Sequence, residues 1–347
     1  MRRLDAPGAL AEVMLKRNSL VLTLGTLALA IGGPAFARGP MGARDADYQM
    51  AVEQAHKRYL ADQSGKVAES VSAATGVKPG LYGIVIVRVD GKVWEIGDSK
   101  VPFPMTATAT PFTAALAVEQ HGPDLFTGPK GAVAGTVPLP NARGTSDWGL
   151  APTAALELDG SIATLGLVQP QHDAEGKWRA LLENFGKFSG GDLAIDPRAY
   201  KAEKPIVPRL PQTARDLATD GRLKDDADLT ADLFLRQTCV GVTARDLAIM
   251  AATLANDGVN PVTQKRVVSA ATAQQIQKLL AGKRKGQSAW MARDGILASA
   301  GNSGAILVVL PGRLGIATYA PPLDAGGVSV RGQRAIKYLS QTLMFNP

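Results

Sequence analysis

The chain has 347 residues, 46% hydrophobic, 20% charged and 5% aromatic, a globular composition that excludes a disordered or fibrous protein. Its formal charge of +7 comes from scattered basic residues; only "KRK" at 283–285 forms a cluster, and no aromatic residues interleave with it, which excludes a nucleic-acid platform. Cys239 is the single cysteine, so no internal disulfide can form and the core must supply the stability.

The first 37 residues read as an export leader. Lys16 and Arg17 precede the apolar run "SLVLTLGTLALAIGG", which is short for a membrane span, and Ala35 and Ala37 in "PAFA" supply the small residues of a cleavage site before Arg38. A retained membrane anchor is the alternative. Met14 is a second candidate start, and Arg2-Arg3 lies far from the apolar run, so the sequence leaves the export route open. Removal of the leader takes away four basic and two acidic residues and leaves a mild formal charge of +5. The mature chain, 38–347, is then expected in the periplasm or outside the cell with no stable membrane span.

Residues 47–75 carry Met50, Val52, Ala55, Tyr59 and Leu60 at helical spacing and predict an amphipathic helix. "YGIVIVRVDGKVWEIGD" predicts two strands around Asp90-Gly91, since both residues tolerate the positive φ of a tight hairpin turn. "FPMTATATPFTAALAV", 103–118, opens an apolar helix. From about 122 to 211 the chain is rich in Gly, Pro and small residues with weak periodicity, which predicts loops and short helices rather than another sheet.

Regular pattern returns at "TARDLAIMAATLANDGVNP". Thr243 caps a helix with Asp246 three residues on, Leu247, Met250 and Leu254 form its stripe, and Gly258 and Pro261 end it. "SAATAQQIQKLLAG" predicts another helix, "GAILVVLPGRLGIATYA" two strands around Pro311-Gly312, and 332–343 a last helix. Strands at both ends with helices between imply an α+β architecture: an antiparallel sheet lobe (about 48–105 and 290–347), an inserted mainly helical lobe (about 106–289), and a cleft where they meet.

Several of these stretches resemble the bacterial-type, serine-dependent glutaminase family, which has the serine β-lactamase and penicillin-binding fold. The similarity is strongest in "VTARDLAIMAATLANDGVNPVTQKRV" and "SGAILVVLPGRLGIATYAPPLDAGGVSVRG", and extends to "PFTAALAVEQHG", "DGSIATLGLV" and "DPRAYKAEK". That family uses a Ser-x-x-Lys motif at a helix start. Positions i and i+3 share one helical face, so the lysine amine takes the hydroxyl proton while the helix N-terminus favours developing negative charge. The resemblance places the serine at Ala107 and the lysine at Thr110, and neither can do that chemistry.

Other family positions change too. The "KSG"-like element falls on Ser299-Ala300-Gly301 without its cation, which leaves Gly301 and the backbone of Asn302 near the substrate carbonyl. A family tyrosine becomes Phe234 in "DLFLRQ", an asparagine falls on Leu158 and another near Leu210, and a further tyrosine has no counterpart in "GKRKGQS". Glu203 keeps the spacing at which the family's glutamate receives the substrate amino group; the other reading is a surface carboxylate paired with Lys201 or Lys204.

Thr106 or Thr108 as a shifted nucleophile needs a base, and no Lys, His, Asp or Glu lies between Val101 and Val118; Glu203 and His121 are the distant candidates. His56, His121 and His172 share no metal-ligand spacing, so no metal or other cofactor is expected, and Cys239 reads as a small buried apolar residue. The resemblance therefore implies an exported family member that has lost Ser-x-x-Lys amidohydrolase chemistry and binds a ligand or partner, with glutamine, glutamate or a related amino compound the candidates. An active L-glutaminase with another nucleophile is the alternative, and a structural or cell-wall module a third. The sequence does not fix the oligomeric state.

Overall fold

The computed structural model describes residues 44–69, 71–72, 77–126, 155–204, 209–282, 291 and 294–345. The leader read over 1–37 and the basic cluster at 283–285 lie outside them. All described residues fall in one compact unit, Ala37–Pro347. Among them no helix is long and apolar enough to cross a membrane.

Helix α1, Asp45–Tyr59, buries Tyr48, Ala51, Val52 and Ala55 at i, i+3, i+4 and i+7. It stops well short of residue 75. The buried stripe starts earlier than the sequence reading had it, and Met50 and Leu60, assigned to that stripe, stand about half exposed. Strands β1 (Gly83–Arg88) and β2 (Val93–Gly97) form the hairpin. Of the two turn residues only Gly91 takes positive φ (87°), because the connection is longer than a two-residue turn and the Gly91 amide donates to the Arg88 carbonyl.

The short strand β3 (Phe103–Pro104) runs into a 3-10 turn, Thr106–Ala109, and then helix α2, Thr110–His121. The stretch read as loops and short helices holds α3 (Leu158–Leu167), the 16-residue α4 (Ala174–Ser189), the two-residue strand β4 (Ala194–Ile195) and α5 (Pro197–Glu203). The α4 helix has clear signals in hindsight: Asp173 accepts from the Gly176 amide at its start, and Gly190 closes it in the left-handed region. No short strand with two residues carries a readable period, so β4 was invisible. Helices α6 (Arg209–Thr219) and α7 (Ala227–Thr238), strand β5 (Val240–Val242), α8 (Ala244–Ala255) and α9 (Ala270–Ala281) follow. Strands β6 (Leu297–Ala300), β7 (Ala305–Leu310) and β8 (Leu314–Tyr319) and helix α10 (Val330–Thr342) complete the order. The α8 capping box forms as the sequence predicts: Asp246 N donates to Thr243 Oγ1 at 3.1 Å and Thr243 N to Asp246 Oδ2 at 2.9 Å.

The main sheet has the antiparallel order β2-β1-β8-β7-β6, so the N-terminal hairpin docks on the C-terminal strands. Its central strands are buried on both faces, and alternate residues divide between two cores. Ile84, Ile86, Ile306, Val308 and Ile316 face α1 and α10, whereas Val85, Val87, Leu307, Val309 and Ala317 join the core of α8 and the other helices. Helix α8 lies so close to β8 that a Cβ on Gly315 would fall 2.2 Å from the Ala252 amide nitrogen. A second sheet, β3-β5-β4, ties the start of α2 to the approach to α8.

The helical side is pinned by a buried ion pair. Lys177 on α4 and Asp225, just before α7, are both fully enclosed, and the Lys177 ammonium also donates to the Gly166 carbonyl (3.3 Å) at the end of α3. Burial pulls the Lys177 ammonium below its usual range despite Asp225. Burial alone would raise Asp225, but donation from Lys177 and from the Asp226 and His172 amides outweighs it and holds the carboxyl below the ordinary carboxylate value.

Three outcomes are expected. Either Asp225→Asn or Lys177→Met strands the remaining group and costs about 3–5 kcal/mol, whereas Lys177→Met with Asp225→Leu costs much less, as urea denaturation of the three variants would measure. The Asp225 contribution is present above the unfolded carboxylate pKa and is lost as pH falls through its lower folded value, so Asp225→Asn flattens the acid limb of stability against pH. Gly315→Ala lowers stability by about 1–3 kcal/mol or more, visible as a reduced thermal midpoint, because the α8 backbone must move away.

Candidate functional site

The site grows from the 3-10 turn. Met105 N donates to Val240 O at 2.8 Å, which anchors the chain on β5, and Thr106 then takes a φ of 51°. That left-handed conformation is a genuine outlier for a β-branched residue and costs on the order of 1–3 kcal/mol. The end of β6 holds it in place. A Cβ on Gly301 would sit 2.1 Å from Thr106 Oγ1, and Ser303 Oγ lies 3.4 Å from the same oxygen. Only a residue without a side chain lets β6 and the turn meet this closely.

The three threonines of the segment have separate fates. Thr108 is buried and donates to Met105 O at 2.6 Å, which removes it from consideration as a nucleophile. Thr110 donates to Ala107 O at 3.0 Å, so its hydroxyl closes the turn. Thr106 faces Ser303.

A cavity of about 230 Å³ opens in front of this turn. Ala107 and Thr110 line it on one side, at the i, i+3 spacing of the expected nucleophile and base. Leu158 and Ser161 come from α3, Glu203 from the last turn of α5, Leu210 from the start of α6, and Phe234 from α7. Asn302, in the turn after β6, completes the wall beside Thr106. Residues separated by almost two hundred positions are thus gathered at one place.

Of the candidate site residues, Ala107, Thr110, Glu203, Phe234 and Asn302 converge on the cavity, together with Leu158 and Leu210. Gly301 does not line it. Its amide donates to Ala305 O at 3.0 Å within the β6–β7 turn, so it offers no hydrogen bond to a substrate carbonyl; its role is the close approach to Thr106. Lys204, one of the two partners considered for Glu203, bonds to the Tyr200 hydroxyl (3.3 Å) and lies 3.9 Å from Asp232, which in turn pairs with Arg236. His121 contacts Leu167 O (2.8 Å) and does not line the cavity, so it is no base for Thr106. His56 contacts Tyr82 O and His172 pairs with Asp225, so the three histidines serve three separate places.

The sequence missed Leu156, Leu235, Thr238 and Cys239 as cavity residues. Thr238 and Cys239 end α7 beside β5, an adjacency that carries no local pattern. Cys239 is buried as predicted, and it also faces the cavity. Burial, with the Glu203 and Asp196 charges adding to it, pushes its thiol up to about 12, so it is protonated and unreactive at neutral pH. Glu203, half-buried, is the one charged side chain lining the cavity among the described residues. Glu203 thus places a negative charge at the cavity, and Ala107 supplies no hydroxyl there.

Comparison with known proteins agrees with this layout. The glutaminase family model matches residues 65–346. A glutaminase of Bacteroides thetaiotaomicron is 34% identical over 297 residues, covering 85% of this chain and 92% of its own. Glutaminase 1 of Bradyrhizobium diazoefficiens is 36% identical over 81% of this chain, which spans 46% of that longer protein. Among solved structures, the probable glutaminase ybaS superposes with a TM-score of 0.77 at 29% identity over 88% of this chain and 99% of its own. Mglu in its glutamate form gives 0.76 at 26% identity over 88% and 70%. With a family model that matches residues 65–346 and a relative 34% identical over 92% of its own length, this protein belongs to the glutaminase family.

Proposed function

We propose that this glutaminase-family protein binds a small amino compound in the cavity without hydrolysing it by Ser-x-x-Lys chemistry. The observation that carries the reading is the pair Ala107 and Thr110 on the cavity wall. A methyl group has no electrons to offer a carbonyl carbon. The Thr110 hydroxyl is committed to Ala107 O and does not titrate near neutral pH, so it takes no proton. Among the described residues no lysine, arginine or histidine lines the cavity. Glu203 is suited to hold an ammonium group, and glutamine and glutamate are the ligands suggested by the likeness to Mglu in its glutamate form.

A second reading has its own support. The relatives are named glutaminases, and that similarity favours hydrolysis of L-glutamine to L-glutamate and ammonia at least as well as binding alone. The structural feature in its favour is Thr106, whose strained backbone presents a hydroxyl beside Ser303 at the cavity edge. Its weakness is the base: Glu203 is the one ionisable candidate with the required charge. The choice between the readings rests on position 107. As to location, the leader motif in 1–37 supports export to the periplasm or beyond.

Ammonia release from glutamine by concentrated, purified protein is expected to be absent or at least about a thousandfold below an active relative, the usual scale for a lost nucleophile or base. Turnover of several per second that disappears in Thr106→Val establishes the second reading instead. Mass spectrometry of the native protein is expected to give an N-terminus near Arg38; a mature chain that retains residues 20–31 excludes cleavage of the leader.

A further inference from the structure

The polar groups of the cavity decide which kind of amino compound fits, a step that rests on reading the cavity as a ligand site. A glutamine side chain ends in an amide and needs both donors and acceptors, since a buried amide left unmatched is disfavoured. Three of the hydroxyls lining this cavity already donate their protons within the protein. Thr110 donates to Ala107 O (3.0 Å), Ser161 to Ala155 O (3.3 Å) and Thr238 to Leu235 O (2.8 Å), and Thr106 is paired with Ser303. The Gly301 amide is likewise taken by Ala305 O. For an amide carbonyl this leaves Asn302 at the exposed rim.

The rest of the wall is apolar. Leu156, Leu158, Leu210, Phe234 and the Ala107 methyl surround the space, and the protonated Cys239 thiol behaves as a small apolar group among them. Charge is equally one-sided: Glu203 is negative, and no cationic side chain faces it across the cavity among the described residues, so a ligand carboxylate gains no ion pair. The partial charge at the start of the 3-10 turn is a weak substitute for one. A carboxylate accepts several hydrogen bonds, so Glu203 can receive an ammonium group alongside its protein contacts.

We infer that the cavity selects a primary ammonium group carried on an apolar body, with Glu203 receiving the ammonium and Leu158, Leu210 and Phe234 packing the body, in preference to glutamine. Among the described residues the preference comes from side-chain donors that are mostly committed and from the lack of a cation for the carboxylate.

Calorimetric titration of the full chain with 3-methylbutylamine, L-glutamine and 4-methylpentanoate tests this. The amine is expected to bind at least tenfold more tightly than either of the others; 4-methylpentanoate keeps the apolar body without the ammonium, and glutamine keeps the ammonium without the apolar body. Glu203→Gln is expected to weaken the amine at least tenfold, and Ala107→Leu, which fills the cavity from an exposed backbone position, to abolish its binding. Glutamine binding tighter than the amine, with Ala107→Leu still blocking it, overturns the ligand class and leaves the cavity as the ligand site. No binding by any of the three, or binding indifferent to both substitutions, overturns the site itself and the proposal built on it.

Discussion

Everything that matters about the site depends on one close approach, that of Gly301 to Thr106. The end of β6 packs so closely on the 3-10 turn that a Cβ on residue 301 would displace the Thr106 hydroxyl, and Thr106 at this contact takes a left-handed φ. Release of that contact would let the turn relax, and with it the direction in which Ala107 and Thr110 face. The sheet and the helices are thus coupled at the point where the family carries out its chemistry. The left-handed φ of Thr106 is found in a turn whose surroundings are closely packed, with Gly301 and Ser303 against it.

Two carboxylates illustrate how differently this fold uses buried charge. Asp225 is enclosed with Lys177 and stitches α3, α4 and the approach to α7 together; its environment satisfies it from several directions, which makes it a structural element. Glu203 stands half-buried at the edge of an apolar cavity, where its field reaches the Cys239 thiol. The first is a structural element, and the second lines a cavity.

The substitutions around the cavity share a direction. Ala107, Leu158 and Phe234 stand where, and Leu210 near where, the family resemblance implies serine, asparagine or tyrosine, and all four form apolar parts of the cavity wall. Family membership describes the architecture and the ancestry of the chemistry; what this cavity binds follows from its own lining.

Much of the fold was legible in local patterns. The Thr243–Asp246 box, the stripe of α8, the runs of β7 and β8 and the Asp90-Gly91 connection are all short-range signals, formed by residues whose mutual distances the backbone period fixes. The family resemblance came from the same stretches, and so did the reading of Ala107 and Thr110 against Ser-x-x-Lys. The end of α1 was misjudged because the apolar residues Met50 and Leu60 continue a helical spacing on a face that no other element covers. The three-stranded sheet was missed because β4 has only two residues and takes its identity from β5, more than forty positions away. The sequence by itself therefore determined which segments become helices and strands and which side chains stand at 107 and 110. Only the tertiary structure decided that Ala107, Leu158, Glu203, Phe234 and Asn302 surround one space, and that the hydroxyls there are already bonded, because long-range packing sets those distances and directions and no local period encodes them.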